Sequence, residues 1–243
     1  CFCNNFSCQM ISKVFIGFYC NSKIERFIYV IIILTFVIKM LTLLRTGYGK
    51  IMQLFYKDKT AKLHFREIVR QTMLFEPSVY RFLNSLEKDH ILKSEKDGNL
   101  KKYSIKKTIR SYFLFEAFDL EKLEKLPSIR RNAIKIYLNN LPEKPIFAIL
   151  FGSTAKGTYN KNSDIDILLI TNKKINTEQA EKETYALTAM KTSTFQMKYK
   201  DFLIDLKMKD DKVVQSAINS GYPLINHIQY YEVLYNERIW SSK

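Results

Sequence analysis

The stretch PIFAILFGSTAKGTYNKNSDIDILLIT, residues 145–171, constrains the fold of this 243-residue chain more than any other. Two apolar segments, Ile146 to Phe151 and Asp164 to Ile170, have the pattern of β-strands joined by a glycine-serine turn and a short polar loop. Side chains alternate between the two faces of a strand, so Asp164 and Asp166 are expected to point to the same side. The sequence therefore predicts two neighbouring carboxylates close to a tight turn.

Paired carboxylates in an apolar strand indicate a cation site. They repel each other and lose hydration, and a hard divalent cation such as Mg²⁺ relieves both costs. Gly152 permits a close backbone approach, and the N–H groups that start a helix after it suit a phosphate, which makes Gly152 and Ser153 candidate phosphate contacts. A phosphate site beside a metal site is typical of metal-assisted phosphoryl or nucleotidyl transfer.

Other glycine-rich motifs fit this stretch less well. In a Walker A loop the lysine position would be Thr158, and Lys156 comes too early to reach the outer phosphates. In a nucleophile elbow a residue separates the glycine from the serine, whereas Ser153 directly follows Gly152. A Rossmann fingerprint requires a glycine where Thr154 stands.

The contiguous segments FGSTAKG and SDIDILLI resemble the signature of the polymerase-beta-type nucleotidyltransferase superfamily in its small, minimal form. The resemblance implies that Gly152 and Ser153 contact a nucleoside triphosphate, and that Asp164 and Asp166 are catalytic and bind Mg²⁺ in a two-metal arrangement. An acceptor hydroxyl would attack the α-phosphorus and release pyrophosphate. Lys156 is a candidate to neutralise phosphate charge, with a solvated loop lysine as the alternative. The acceptor stays open between nucleic acid, protein and a small molecule.

The chain departs from this family at one position. Active members carry a third carboxylate on a later strand, where it helps to deprotonate the acceptor and to hold a metal. The later strand is predicted over Thr192 to Tyr199, which places Gln196 in the acidic position. An amide cannot act as a base and is a weaker metal ligand, so catalytic competence depends on whether Asp201 or Asp205 substitutes.

Residues 45–107 have the periodicity of three helices followed by a β-hairpin, which resembles the winged helix-turn-helix family. Pro77 suits the first turn of the third helix, and Gly98 suits the hairpin turn. The predicted helices cover Gly49–Tyr56, His64–Thr72 and Pro77 to about Asp89, and the predicted strands cover Ile91–Ser94 and Leu100–Ile105.

The resemblance implies that the third helix enters the DNA major groove and that the hairpin, or wing, touches the backbone. Residues 40–117 carry 16 basic and 8 acidic side chains, which makes this the most basic part of the chain. The alternatives are a dimerisation or docking module and a lysine-rich surface that only keeps the protein in solution. Candidate DNA contacts are Arg81, Asn84 and Lys88 on the helix, and Lys93, Lys96, Lys101 and Lys102 on the wing.

The first 44 residues differ from the rest in composition. All four cysteines lie within residues 1–20 without zinc-ligand spacing, which favours a reducing, cytoplasmic compartment for the folded part. Residues 27–44 are apolar with one internal charge and are near the minimum length for a membrane span. Translated upstream sequence before a start at Met40 is the favoured explanation for residues 1–39, with a membrane anchor as the alternative.

The expected fold is α+β. An apolar segment, 1–39, precedes a winged helix-turn-helix, 45–107, and a nucleotidyltransferase domain with a short mixed sheet, 118–243. The expected function is nucleotidyl transfer from a nucleoside triphosphate, tethered to a DNA-binding module, with a protein partner or a homodimer left open. The alternative is a non-catalytic DNA-binding regulator or antitoxin that uses a degenerate transferase domain as a nucleotide sensor.

Overall fold

The computed structural model describes residues 46–236. The chain divides into two compact units, residues 1–50 and 51–243, and only residues 46–50 of the first unit are described. The predictions for residues 1–39 and for the apolar run 27–44 lie outside the described residues. Within residues 46–236, none of the helices combines the length and the apolar character that crossing a bilayer requires.

Helices and short strands alternate along the described chain. The helices are α1 (Gly47–Lys57), α2 (Phe65–Thr72), α3 (Glu76–Lys88), α4 (Ile109–Glu124), α5 (Ser128–Asn139), α6 (Gly152–Lys156), α7 (Glu178–Thr188), α8 (Tyr199–Met208), α9 (Lys212–Ser220) and α10 (His227–Asn236). The strands are β1 (Leu63–His64), β2 (Leu92–Asp97), β3 (Leu100–Ile105), β4 (Phe147–Phe151), β5 (Ile165–Thr171), β6 (Thr192–Lys198) and β7 (Tyr222–Ile225).

The first sheet is small and antiparallel. Its strand order is β1-β3-β2, with β2 and β3 joined through a two-residue turn at Gly98-Asn99. Gly98 has a φ of +60°, the backbone conformation that a tight hairpin turn demands at its first central position. Helices α2 and α3 pack beside this sheet, and Ile68, Val79 and Leu83 are fully buried there.

The second sheet is mixed, as the sequence predicts, with the strand order β6-β5-β4-β7. Strands β5 and β6 run parallel, whereas β4 is antiparallel to both β5 and β7. The strands β4 and β5 agree with the two predicted apolar segments to within one residue, and Leu168, Leu169 and Ile170 are buried. This mixed sheet and the helices around it confirm the α+β class.

Helices cover both faces of the mixed sheet. On one face, Ile165, Ile167 and Leu169 belong to a buried cluster with side chains of α5 and α7, among them Ile134 and Ala180. The other face carries Phe147, whose ring lies 5.4 Å from that of Phe202 on α8 and 5.7 Å from that of Tyr230 on α10. The carboxyl end of β4 and the amino end of β5 lie at the same end of the sheet, because the two strands are antiparallel neighbours.

Three elements escaped prediction from the sequence. They are the first part of helix α4, from Ile109 to Asp119, helix α8 directly after β6, and strand β7. Strand β7 contains Pro223, which an edge strand tolerates because its N–H side need not pair. Tyr230, Tyr231 and Tyr235 are core residues, since each is at most 2% exposed.

Candidate active site

The Gly152-Ser153 turn lies directly against one of the two predicted carboxylates. Gly152 follows strand β4 and has a φ of +69°, a conformation that L-residues rarely adopt. A Cβ atom added to Gly152 would lie 2.1 Å from Oδ2 and 2.9 Å from Cγ of Asp166. Only glycine therefore satisfies both the backbone conformation and the space that the Asp166 carboxylate leaves.

The two carboxylates lie on the same side of the sheet. Asp166 is paired with Ser193 across β5 and β6, and the Ser193 hydroxyl donates a hydrogen bond of 3.0 Å to Oδ2 of Asp164. Burial and, second, the negative charge of Asp164 raise the pKa of Asp166 above its ordinary value. Both observations place the two carboxylates near each other on one side of the sheet.

Asp164 has a second partner besides Ser193. The Nζ atom of Lys191 lies 3.4 Å from the same Oδ2 atom, although the Lys191 side chain is 72% exposed. An exposed ion pair of this kind contributes little to stability, so a cation bound at Asp164 would displace it at small cost. Ser193 and Lys191 follow from the parallel pairing of β5 and β6, which the sequence does not reveal.

The prediction that Gln196 occupies the third acidic position is wrong. In the parallel pair, Gln196 stands opposite Leu169 and therefore faces the side away from Asp166. Its side chain accepts a hydrogen bond from the N–H of Ile175 at 2.9 Å and donates one to the carbonyl of Ile175 at 2.8 Å. Gln196 thus anchors the loop after β5 through two hydrogen bonds to its backbone, on the side of the sheet away from Asp164 and Asp166.

The β6 positions on the Asp166 side are Ser193, Phe195 and Met197. The ring of Phe195 packs edge-on against Phe151 at 5.5 Å, and no residue of β6 is acidic. The alternatives Asp201 and Asp205 belong to helix α8, where buried Asp205 accepts a hydrogen bond from the Asp211 N–H. Within residues 46–236 there is no group of three or more acidic, histidine or cysteine side chains that could hold a metal.

A buried arginine, absent from the sequence-based candidates, holds the loop that separates the turn from the carboxylates. Arg130 on α5 is 3% exposed and donates to the hydroxyl of Thr154 at 2.9 Å. Its other terminal nitrogen donates to the carbonyls of Asn160 at 2.7 Å and of Ser163 at 3.0 Å. The guanidinium also lies 4.3 Å from the ring centre of Tyr159. One side chain therefore joins helix α6 to two points of the loop that follows it.

The sequence contains a signal for this arginine. Arg130 precedes Ala133, Ile134 and Tyr137 at spacings of three, four and seven, so it shares the apolar face of its helix. A charged residue on a buried helix face needs hydrogen-bonding partners, which the irregular backbone after α6 supplies. The spacing indicates burial of Arg130, while the identity of its partners depends on the tertiary fold.

Replacing Arg130 with methionine is expected to lower the free energy of unfolding by about 2 kcal/mol, because hydrogen bonds from a charged donor are lost and the acceptors are only partly rehydrated. Hydrogen exchange should speed up across residues 157–163. The control is Arg131→Met on the same helix, whose side chain pairs with Glu124 and is 26% exposed. Equal destabilisation by both variants would contradict the role assigned to Arg130.

The remaining candidate residues are Lys156, after the turn, and the candidate DNA contacts on α3 and on the hairpin. Lys156 is the last residue of the short helix α6 and is exposed, within the same turn-and-helix segment as Gly152 and Ser153. Arg81, Asn84 and Lys88 lie together on the exposed face of α3. On the hairpin, two of the four lysines are engaged with acidic neighbours at 2.6 Å, Lys93 with Glu95 and Lys102 with Asp97, whereas Lys96 and Lys101 are exposed and face each other across the strands.

Comparison with known proteins agrees with this geometry. Residues 132–229 match the model of the family described as "Polymerase beta, Nucleotidyltransferase", which covers about two fifths of the chain. The match supports a polymerase-beta-type nucleotidyltransferase domain in this part of the chain, with nucleotidyl transfer as its general activity. A search of the curated proteins gives no match.

Proposed function

We propose that the protein transfers a nucleoside monophosphate from a nucleoside triphosphate to an acceptor hydroxyl. The observation that carries the proposal is the contact between the Gly152 turn and the Asp166 carboxylate, with Asp164 on the same side. In this assignment the N–H groups at the start of α6 and Ser153 bind phosphate, and Lys156 neutralises part of its charge.

The donor set fits Mg²⁺. Two carboxylates that repel each other, a neighbouring hydroxyl and substrate phosphates are oxygen ligands of the kind that Mg²⁺ prefers. When bound, the cation would polarise the phosphate oxygens and reduce the repulsion between Asp164 and Asp166. The two-metal arrangement has weaker support than a single shared cation, because the described part of the chain offers no third acidic side chain at this edge of the sheet.

A transfer assay tests this proposal. The protein is incubated with each α-labelled nucleoside triphosphate and Mg²⁺, with RNA, DNA, protein or no added acceptor, and label in the acceptor or in the protein itself is measured. We expect label transfer from at least one triphosphate, with chelation of the cation abolishing it. Absence of transfer from all four ribonucleotides and all four deoxyribonucleotides to every acceptor would contradict the enzyme.

The lack of an acidic residue on β6 favours a second candidate function. Without a third carboxylate to act as a base, the domain could bind a nucleotide without transferring it, in a DNA-binding regulator or antitoxin. Nucleotide binding that requires Asp164 and Asp166, with no transfer to any acceptor, would identify the protein as a nucleotide sensor.

We also propose that residues 47–105 are a winged helix-turn-helix that contacts DNA. Support comes from the order of three helices and a hairpin and from the exposed face of α3 that carries Arg81, Asn84 and Lys88. Exposed Met73, Phe75 and Tyr80 on and before the same helix support a dimerisation or docking role instead. The two roles differ in their salt dependence.

Salt titration of DNA binding separates these two roles. Replacing both Lys96 and Lys101 with alanine is expected to reduce the slope of log affinity against log salt concentration by up to about two, since each phosphate contact contributes about 0.9. The control removes the same charge from the transferase part by Lys182→Ala and Lys200→Ala. Equal weakening by both doubles, or no binding by the parent, would contradict contact through the wing.

A further inference from the structure

A cavity of about 250 Å³ lies apart from the Asp164–Asp166 pair, where α1, α4 and α10 meet the carboxyl end of α9. We call it the junction cavity. Gly221 lines it, and the next residue, Tyr222, pairs with Leu150 on β4, so the cavity is at the same end of the sheet as the Gly152 turn. Pockets for drug-sized ligands measure roughly 300–1,000 Å³, so this one suits a smaller molecule.

The floor of the junction cavity is a buried carboxylate with both oxygens engaged. Asp119 is 1% exposed and accepts hydrogen bonds from the hydroxyl of Tyr56 at 2.5 Å and from that of Tyr231 at 2.6 Å. Burial raises the pKa of Asp119 to about 7, which leaves the carboxylate only partly charged near neutral pH. Asp119 therefore balances only part of the charge of the lysines around it, and both of its oxygens already accept hydrogen bonds.

The wall of the cavity is positively charged. The lining includes three lysines, Lys57, Lys59 and Lys122, against the single carboxylate. Lys59 Nζ and Lys122 Nζ lie 4.8 Å and 4.6 Å from the centre of the Tyr56 ring, so the same aromatic side chain holds both ammonium groups at the cavity. Lys122 Nζ is also 5.5 Å from the Tyr222 ring centre. The lining thus holds an excess of positive charge.

The positive charges of the lining lysines repel each other, and a bound anion would reduce this repulsion. Burial, opposed by the charge of Asp119 and assisted by that of Lys122, lowers the pKa of Lys59 to about 8, and Lys59 donates a hydrogen bond to the Tyr56 carbonyl. Lys57 and Lys122 are exposed and Lys59 is half-buried, and all three line the cavity together with the polar residues Gln53, Asn219 and Ser220. The geometry is that of an anion site with a water-accessible mouth.

We propose that the junction cavity binds a small phosphate-bearing anion, held by Lys59 and Lys122. The anion is no larger than pyrophosphate or the phosphate of a nucleoside monophosphate, given the cavity volume. The site is distinct from the carboxylate pair and needs no divalent cation, so it does not depend on the proposed transfer activity.

The test is calorimetric titration of the full chain with phosphate, pyrophosphate and adenosine monophosphate, without Mg²⁺ and with a chelator. We expect saturable binding of at least one of the three, and the comparison among them identifies whether the source is a free phosphate or a nucleotide. Binding should persist in the Asp164→Asn/Asp166→Asn double variant, which shows that it does not depend on the carboxylate pair, and in Lys156→Ala, which separates it from the phosphate contacts proposed at the candidate active site. Binding by none of the three, or its loss in that double variant, would overturn the proposal.

The decisive comparison is between removing a positive charge and removing the negative charge from the cavity lining, since the two changes should affect anion binding in opposite directions. Lys122→Met should weaken binding at least tenfold, whereas Lys125→Met, on the same helical segment and paired with Glu121 at 2.7 Å, should change it less than twofold. Asp119→Asn should strengthen binding severalfold, because it removes the only acidic group of the lining. Circular dichroism and thermal unfolding verify that each variant is folded. An equal loss in the two lysine variants, or weaker binding in a folded Asp119→Asn, would refute the anion site.

Discussion

Nucleotidyl transfer is expected to fall about a thousandfold when Asp166 is replaced by asparagine. An amide is a weaker ligand than a carboxylate, and a catalytic cation contributes several kcal/mol to the transition state, of which about 4 kcal/mol corresponds to a thousandfold in rate. The free energy of unfolding should not decrease, because the amide removes the repulsion between Asp166 and the nearby Asp164. The measurements are initial rates with labelled triphosphate and denaturant unfolding.

The matched control for this variant is Asp201→Asn. Asp201 is an exposed carboxylate in the first turn of α8, the helix that follows β6. Its removal should leave the rate within about twofold of the parent, a difference well under 1 kcal/mol. Loss of activity in Asp201→Asn with little change in Asp166→Asn would mean that Asp164 and Asp166 are not the catalytic pair.

The second large effect is expected for Gly152→Ala. The new Cβ would lie 2.1 Å from Oδ2 of Asp166, so the carboxylate must move away from the turn. We expect transfer to drop by a hundredfold or more, since a displacement of about 1 Å at a reacting group costs roughly that factor. The positive φ adds a loss of about 1–2 kcal/mol in the free energy of unfolding.

Gly157→Ala is the control that separates backbone strain from displacement of the carboxylate. Gly157 has a φ of +75°, similar to Gly152, but a Cβ there meets nothing within 4 Å. The free energy of unfolding of Gly157→Ala should therefore fall by about as much as that of Gly152→Ala, while nucleotidyl transfer is largely retained. If both alanine variants lose activity equally, strain in the loop, rather than the position of Asp166, controls the rate.

Combining Gly152→Ala with Asp166→Ala provides a further measure of the contact. The Cβ introduced by the glycine change no longer meets a carboxylate in the double variant, so the loss of stability from that change should shrink to the strain alone. The two substitutions should therefore be non-additive, as expected for residues in direct contact. Denaturant unfolding of the two single variants and the double variant measures the difference.

The local pattern of the sequence determined the central strands and the placement of the two carboxylates. Alternation along a strand fixes which residues share a face, and the glycine-serine turn fixes where the strand ends. Gly152 accordingly lies against Asp166, and Asp164 lies on the same side of the sheet as Asp166. These features depend on neighbours within a few residues, which is the range that a periodic pattern covers.

The register of β6 could not be derived in the same way. Its residues, TSTFQMK, put four polar side chains on one face and Ser193, Phe195 and Met197 on the other, so neither face is wholly apolar and the pattern does not say which one meets Asp166. Parallel pairing with β5 decides the matter by placing Ser193 opposite Asp166 and Gln196 opposite Leu169. The assumption that the middle of the strand carries the third site position was wrong for this reason.

The sequence by itself determined the turn, the carboxylate pair and the α+β class, because each follows from short-range periodicity and backbone sterics. Only the tertiary structure decided that Arg130 anchors the loop before Asp164, that Ser193 rather than Gln196 adjoins the pair, and that lysines at the end of α1, just after it and on α4 converge on one cavity. The physical reason is that each of these arrangements joins residues from separate elements. Their contacts exist only once the sheet has been paired and the helices have packed against it.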